Sequence, residues 1–259
     1  MVHFVGAGSG AADLITVRGQ KLLEEADCVI YAGSLVNPAL LEAVKEGCTV
    51  YDSARMTLEE VLAAVEKEEA AGHVTVRLHT GDPCLYGAIR EQMDALDARG
   101  IAYDYTPGVS SFCGAASALN LEYTLPGVSQ SVIITRLAGR TPVPEKESLR
   151  SLAQHEATMV IFLSSGMMGK VSEELIAGGL AADTPAAIVY RATWPDEAAY
   201  VCTVGTLAQT AAEHGISRMA LIVVGEAVAH SSYRRSELYN PAFETGYRAK
   251  VADAEKKAD

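Results

Sequence analysis

Short β-branched apolar runs alternate with longer stretches of helical period through the first hundred residues. The runs at residues 2–5, 28–31, 49–51, 74–78 and 102–105 predict strands, and those at about 16–26, 38–45, 58–71 and 88–99 predict helices. Thr57 and Glu60 form a T-x-x-E capping box ahead of Leu58, Leu62 and Val65, which fall at i, i+4 and i+7. Ile89, Met93 and Leu96 repeat that spacing in the next helix, which stops near Gly100. Regular strand–helix alternation predicts a mostly parallel sheet covered by helices.

The pattern pauses over residues 121–130, a stretch containing proline and glycine, and then restarts. Strands are predicted at 131–135, 159–163, 186–190, 200–204 and 221–224, with helices at 148–154, 170–177 and 207–214. The short gap over 191–198 predicts some antiparallel pairing. The fold class is therefore α/β in two domains, 1–125 and 126–228. A polar tail follows over 229–259; it includes Ser231 and Ser232, ends in Ala254-Glu255-Lys256-Lys257-Ala258-Asp259, and is expected to fray.

The 259 residues are 49% hydrophobic, enough for a core and against disorder as the main state. With 21 Lys and Arg against 33 Asp and Glu, the net charge of −12 argues against nucleic acid and anionic membranes as partners. No apolar run reaches about 18 residues, the length a membrane helix needs. Met1-Val2-His3-Phe4 enters a strand directly, so the cytoplasm is expected. Five scattered cysteines (28, 48, 84, 113, 202) suit a reducing compartment better than a disulfide framework. Neither these nor the six histidines have metal-ligand spacing, so no metal is expected.

Candidate chemistry lies in three loops. Gly6-Ala7-Gly8-Ser9-Gly10-Ala11 follows the first strand and can be written G-x-G-x-x-A. A dinucleotide-binding reading is disfavoured, because Ala12-Asp13-Leu14-Ile15 precede any helix and no acid closes Val29-Ile30-Tyr31-Ala32-Gly33. The remaining readings are a tight turn, or a loop whose backbone approaches another ligand. Arg77-Leu78-His79-Thr80-Gly81-Asp82-Pro83 and Tyr105-Thr106-Pro107-Gly108-Val109-Ser110-Ser111 each follow a strand too. Ligands of open α/β sheets bind at that edge.

Taken together, these segments resemble the tetrapyrrole (corrin/porphyrin) methylases. The resemblance covers nearly the whole chain and includes Asp13-Leu14-Ile15-Thr16, Pro185-Ala186-Ala187-Ile188-Val189-Tyr190-Arg191-Ala192 and Leu221-Ile222-Val223-Val224-Gly225. Leu137-Ala138-Gly139-Arg140-Thr141-Pro142 and Arg191-Ala192-Thr193-Trp194-Pro195-Asp196-Glu197 look like the branch that methylates a ring carbon of a corrinoid precursor. The resemblance implies two α/β domains with a cofactor cleft between them, S-adenosylmethionine as methyl donor, S-adenosylhomocysteine as product and a homodimer. Carried over by position, it places the cofactor on Ser9, Gly81, Asp82, Leu85, Ser110, Ser111, Leu163, Ala192 and Ala220. The chain departs from the family in having Ser9 where proline is common. It also lacks an aspartate at Tyr31-Ala32-Gly33, which argues against a uroporphyrinogen substrate.

Methyl transfer from a sulfonium to carbon needs alignment and exclusion of water more than a built-in nucleophile. A corrinoid precursor carries many carboxylates, so Arg77, Arg136 and Arg140 are the candidate substrate cations. His79, just before Thr80-Gly81-Asp82-Pro83, is read as structural ahead of catalytic. Three alternatives stay open: methylation of another ring carbon or another substrate, an NAD-linked oxidoreductase, and a non-catalytic binder of S-adenosylmethionine or tetrapyrrole.

Overall fold

The computed structural model describes residues 1–229 and 233–250. The predicted frayed end at 251–259, and the Ser231-Ser232 pair, lie outside the described residues. The chain divides into two compact units. One comprises Met1–Asn120, Ile188–Tyr200 and Ala211–Leu221; the other comprises Leu121–Ala187, Val201–Thr210 and Ile222–Asp259.

The first unit is built on five strands: β1 (Val2–Gly6), β2 (Cys28–Tyr31), β3 (Thr49–Asp52), β4 (Thr75–His79) and β5 (Tyr103–Thr106). They lie in the order β3-β2-β4-β1-β5, and all four neighbouring pairs are parallel. Three α-helices lie between them, α1 (Val17–Glu25), α2 (Leu58–Ala70) and α3 (Ile89–Asp97), and α4 (Ser111–Leu119) follows β5. The period-2 pattern divides the core between the two sheet faces. Val2, Phe4 and Ile30 pack with Val61, Val65 and Leu96, whereas Val5, Val29, Val76 and Leu78 pack with Leu23 and Leu40. The Thr57–Glu60 capping box forms in both directions at the start of α2.

Two expectations need correction. Residues 38–45 are not an α-helix: Pro38–Ala43 is a 3-10 run that opens into extended backbone at Val44. Six residues give little room for an α-helical nucleus, and the tight turn lets Leu41, Val44 and Cys48 reach the core before β3. Conversely, Ser111–Leu119 forms α4 where the hydrophobic pattern predicts no helix. Its run Ser111-Phe112-Cys113-Gly114-Ala115-Ala116-Ser117 has small residues where an apolar stripe would signal a helix.

The second sheet has the order β6-β7-β10-β8-β9, with β6 (Val132–Arg136), β7 (Thr158–Phe162), β8 (Pro185–Tyr190), β9 (Ala198–Thr203) and β10 (Ala220–Val224). It is mixed, since β6 runs parallel and β10 antiparallel to β7. The short helices α5 (Leu149–Ala153), α6 (Met168–Ala177) and α7 (Leu207–Glu213) accompany it. Beyond residue 233 the chain is held locally: Arg248 donates to the carbonyls of Leu238 and Asn240. No helix among the described residues is long and apolar enough to cross a membrane.

Candidate active site

The sheet order dictates which loops meet. With β1 between β4 and β5, Gly6 stands opposite His79, and Val5 opposite Thr106, so three loops leave one edge side by side. They join through backbone. The Ala7 amide donates to the His79 carbonyl at 2.7 Å, and Gly8 and Gly81 exchange hydrogen bonds of 3.2 and 2.8 Å. A Cβ on Gly108 would lie 2.3 Å from the Gly81 carbonyl oxygen and 2.7 Å from Gly6 Cα, so side chains are excluded at this junction. In a dinucleotide-binding unit the first two strands are neighbours. Here β4 separates β1 from β2.

Asp82 ties the loop after β4 to the end of β5 and the loop beyond it. Its Oδ2 accepts the Gly108 amide at 3.0 Å, while Oδ1 accepts the Cys84 amide at 2.9 Å and the Tyr105 hydroxyl. Burial alone raises its pKa, but the bonds from Tyr105, Cys84 and Gly108 outweigh it and hold the carboxyl below its usual range. The Tyr105 phenol is pushed up, first by burial and then by its bond to Asp82. Leu85, half-buried, closes the turn by donating its amide to the Asp82 carbonyl at 3.2 Å.

Ser9 is buried, and its Oγ lies 3.0 Å from Thr193 Oγ1. Thr193 Oγ1 also accepts the Ala11 amide at 3.0 Å, and Asn37 Nδ2 donates to the Gly10 carbonyl at 2.9 Å. Trp194 lies against Gly10, where a Cβ would meet its Cδ1 at 2.2 Å. The guanidinium of Arg191 stacks 4.1 Å from the Trp194 ring and pairs with Asp196 at 2.7 Å. A Cβ on Gly114 would lie 2.8 Å from Ser9 Cβ and 3.3 Å from Ala192 Cβ, so α4 owes its small residues to this contact. Ala220 follows Met219, whose carbonyl accepts the Arg191 amide at 2.9 Å.

Ser110 is the buried N-cap of α4, yet its side chain makes no capping bond. A Cβ on Gly81 would come within 3.4 Å of the Ser111 nitrogen, so the start of α4 abuts the glycine loops. Helix starts of this kind favour anionic groups. Left-handed backbone gathers around the same unit's loops, at Tyr86 (φ 58°), Ala88 (50°), Arg191 (45°), Thr193 (67°) and Met219 (54°). Strain of that sort concentrates at ligand sites.

The first unit thus brings together Ser9, Gly81, Asp82, Leu85, Ser110, Ser111, Ala192 and Ala220. Leu163, Arg136 and Arg140 belong to the second unit. Leu163 is a left-handed leucine (φ 52°) directly after β7 and is 64% exposed. Arg136 spends its donors on the carbonyls of Leu137, Thr141 and Pro142, bracing the loop after β6. Arg140 is exposed, with no hydrogen bond or ion pair among the described residues.

Arg77 does not join the loop cluster. It is buried on the face of β4 that meets α3, donating Nε to Gln92 Oε1 and Nη1 to the Ile30 carbonyl, each at 3.0 Å. His79, two residues on, is buried and stacked on Phe4 at a ring separation of 6.1 Å. Burial, then the nearby Arg77, pushes its pKa down to about 3, so it is neutral at pH 7. Sequence reasoning missed Tyr105, Asn37, Thr193 and Trp194 as parts of the site. Glycine spacing was the available signal for close contacts at Gly10 and Gly114, without naming what would fill them. Among the described residues no group of three His, Cys, Asp or Glu is placed to hold a metal ion.

Residues 1–208 match the family model for tetrapyrrole (corrin/porphyrin) methylases. The chain belongs to this family. Among the methylases most similar to it is the cobalt-precorrin-4 C(11)-methyltransferase of Methanocaldococcus jannaschii, 51% identical over 247 residues, 95% of either chain. The solved structure of a cobalamin biosynthetic enzyme, cobalt precorrin-4 methyltransferase, superposes with a TM-score of 0.86 at 46% identity, covering 88% of this chain and 95% of that one. A second methylase structure, uroporphyrin-III C-methyl transferase from Thermus thermophilus complexed with S-adenosyl homocysteine, gives 0.75 at 27% identity over 89% and 99%.

Proposed function

We propose that this methylase is an S-adenosylmethionine-dependent C-methyltransferase that methylates precorrin-4, or its cobalt complex, at ring carbon 11 in cobalamin biosynthesis. The observation that carries the reading is the 51% identity, over 95% of both chains, to a relative with that activity. The fold supports it with a glycine junction and an uncapped helix start next to it.

The residues fit such a donor. When bound, S-adenosylmethionine supplies a methyl group on a sulfonium, already a good leaving group. The start of α4 at Ser110 and Ser111 suits the donor's carboxylate, and Gly81 and the backbone at Ser9 leave room for close approach. Ala192 and Ala220 are small, buried wall residues, and Leu163 offers an exposed apolar side chain. Asp82 acts as a positioning residue, because both its oxygens are engaged within the protein. Arg140, exposed and unpaired among the described residues, is the cation free to receive a substrate carboxylate, with Arg136 shaping its loop.

The test is incubation with labelled S-adenosylmethionine and either precorrin-4 or its cobalt complex, followed by NMR of the product. A new methyl at carbon 11 is expected; label at another carbon, or none, overturns the reading. A homodimer working in the cytoplasm completes it, supported by five free thiols and checked by light scattering.

A further inference from the structure

A cavity of about 160 Å³ lies in the first unit, away from the glycine junction, lined in part by Ser53, Thr57, Val61, Arg77, Glu91 and Gln92. Its volume equals roughly five water molecules at ~30 Å³ each, enough for a carboxymethyl or carboxyethyl group. Arg77 forms part of the lining and is only 7% exposed.

The guanidinium has five N–H groups. Nε and one N–H of Nη1 are bonded to Gln92 and Ile30, which leaves three without a partner among the described residues. No Asp or Glu among those residues pairs with it either. A buried cation facing neutral acceptors alone is costly, and an anion with two oxygens is the group that relieves it. Gln92 is fixed for this purpose: its amide nitrogen donates to the Ala88 carbonyl at 3.0 Å, so its oxygen faces Arg77 and holds the fork in place. The start of α2 also borders the cavity, its first turn already capped by Thr57 and Glu60, so Arg77 is the cation that an anion would meet.

We propose that this cavity is a carboxylate-binding pocket, in which the anion takes the unused N–H groups of Arg77. Two sources carry that chemistry. One is an acid side arm of the proposed tetrapyrrole, which rests on the methyl-transfer reading; the other is a free small carboxylate. Glu91, at the exposed rim, opposes either one.

The test uses the full chain and sodium propionate as probe, with sodium chloride at equal ionic strength as control. Propionate is expected to raise the wild-type melting temperature beyond the chloride control, with half-saturation about 10- to 100-fold higher in Arg77→Met. Glu91→Gln is expected to bind propionate several-fold more tightly. In methyl-transfer assays Arg77→Met raises KM for the tetrapyrrole by a similar factor if the side arm is the occupant, and propionate then competes. A propionate effect without competition assigns the pocket to a free carboxylate. If Arg77→Met does not fold, Arg77→Lys, which keeps charge but loses the fork, serves in its place. Wild-type turnover with no propionate effect and an unchanged KM overturns the pocket and spares methyl transfer. A propionate effect without turnover does the reverse.

Discussion

Strand β4 and the loop that follows it treat polar groups in opposite ways. In the loop, both oxygens of Asp82 are engaged, by Gly108, Cys84 and Tyr105. On the strand, one face carries Thr75, Arg77 and His79, and there the hydroxyl of Thr75 and Nε2 of His79 are buried without partners. Arg77 has three donors to spare. Polar groups that the fold satisfies hold the fold together. Those it leaves buried and unsatisfied are a cost that must be explained by something outside the chain or by stability lost elsewhere. By that criterion Asp82 is scaffolding within its loop, and Arg77 is the residue of the strand face that lines a cavity.

The comparison can be broken most severely at the glycine junction. Gly108→Ala drives a methyl into the Gly81 carbonyl and the Gly6 backbone, so a loss of about 3 kcal/mol or more is expected in chemical denaturation. A well-tolerated alanine would mean the three loops are less tightly joined than described. Next, Asp82→Ala strands two amides and a phenol, at about 2–3 kcal/mol, with a matching loss of S-adenosylmethionine affinity by calorimetry. The sign of its pH dependence is also set. A carboxyl held below its unfolded pKa contributes stability above pH 4 that is lost as pH falls through the lower folded value, so the variant flattens that limb.

The strand face should show a different pH range. His79 has its folded pKa near 3, below the unfolded value of 6.5. The unfolded chain therefore takes up the proton first, and stability that is complete above pH 6.5 declines as pH drops toward 3. At pH 5 the loss is about 2 kcal/mol, and His79→Gln should remove that slope. An unchanged wild-type-like slope in the variant would show that the proton enters elsewhere. The smallest stability effect is expected at Arg140→Ala, within about 0.5 kcal/mol, because the exposed side chain makes no hydrogen bond or ion pair among the described residues. Its substrate affinity should nonetheless fall, and equal KM values for variant and wild type would remove Arg140 from the site.

Local signals were legible in the sequence to within a residue or two. The capping box at Thr57, the i, i+4, i+7 stripe from Ile89 and the β-branched runs all mark elements that formed. Strand order was not legible, because insertion of β4 between β1 and β2 depends on which faces pack, and no local pattern encodes it. Helix α4 escaped notice because contact with Ser9 demands small residues where periodicity would otherwise show. The site was readable as three loops. What each residue does there was less so: Asp82, expected at the donor, has both oxygens engaged by Gly108, Cys84 and Tyr105, while Arg77, expected at the substrate, is buried in the sheet against Gln92 and Ile30. Contacts such as Ser9 with Thr193 join positions so far apart in sequence that spacing carries no trace of them.

That separation of 184 residues has a consequence for biosynthesis. All five strands of the first sheet have been synthesised by Thr106, and Asn37 and Gly81 can already hold Gly10 and Gly8, but Ser9 and Ala11 gain their bonds to Thr193 only when that residue is made. At roughly 5–20 residues per second the nascent chain carries the first five strands, with the glycine loop lacking its Thr193 bonds, for several seconds. The glycine loop is thus completed late, by a segment made 184 residues after Ser9, and a chain terminated before Thr193 would hold the first five strands without that last brace.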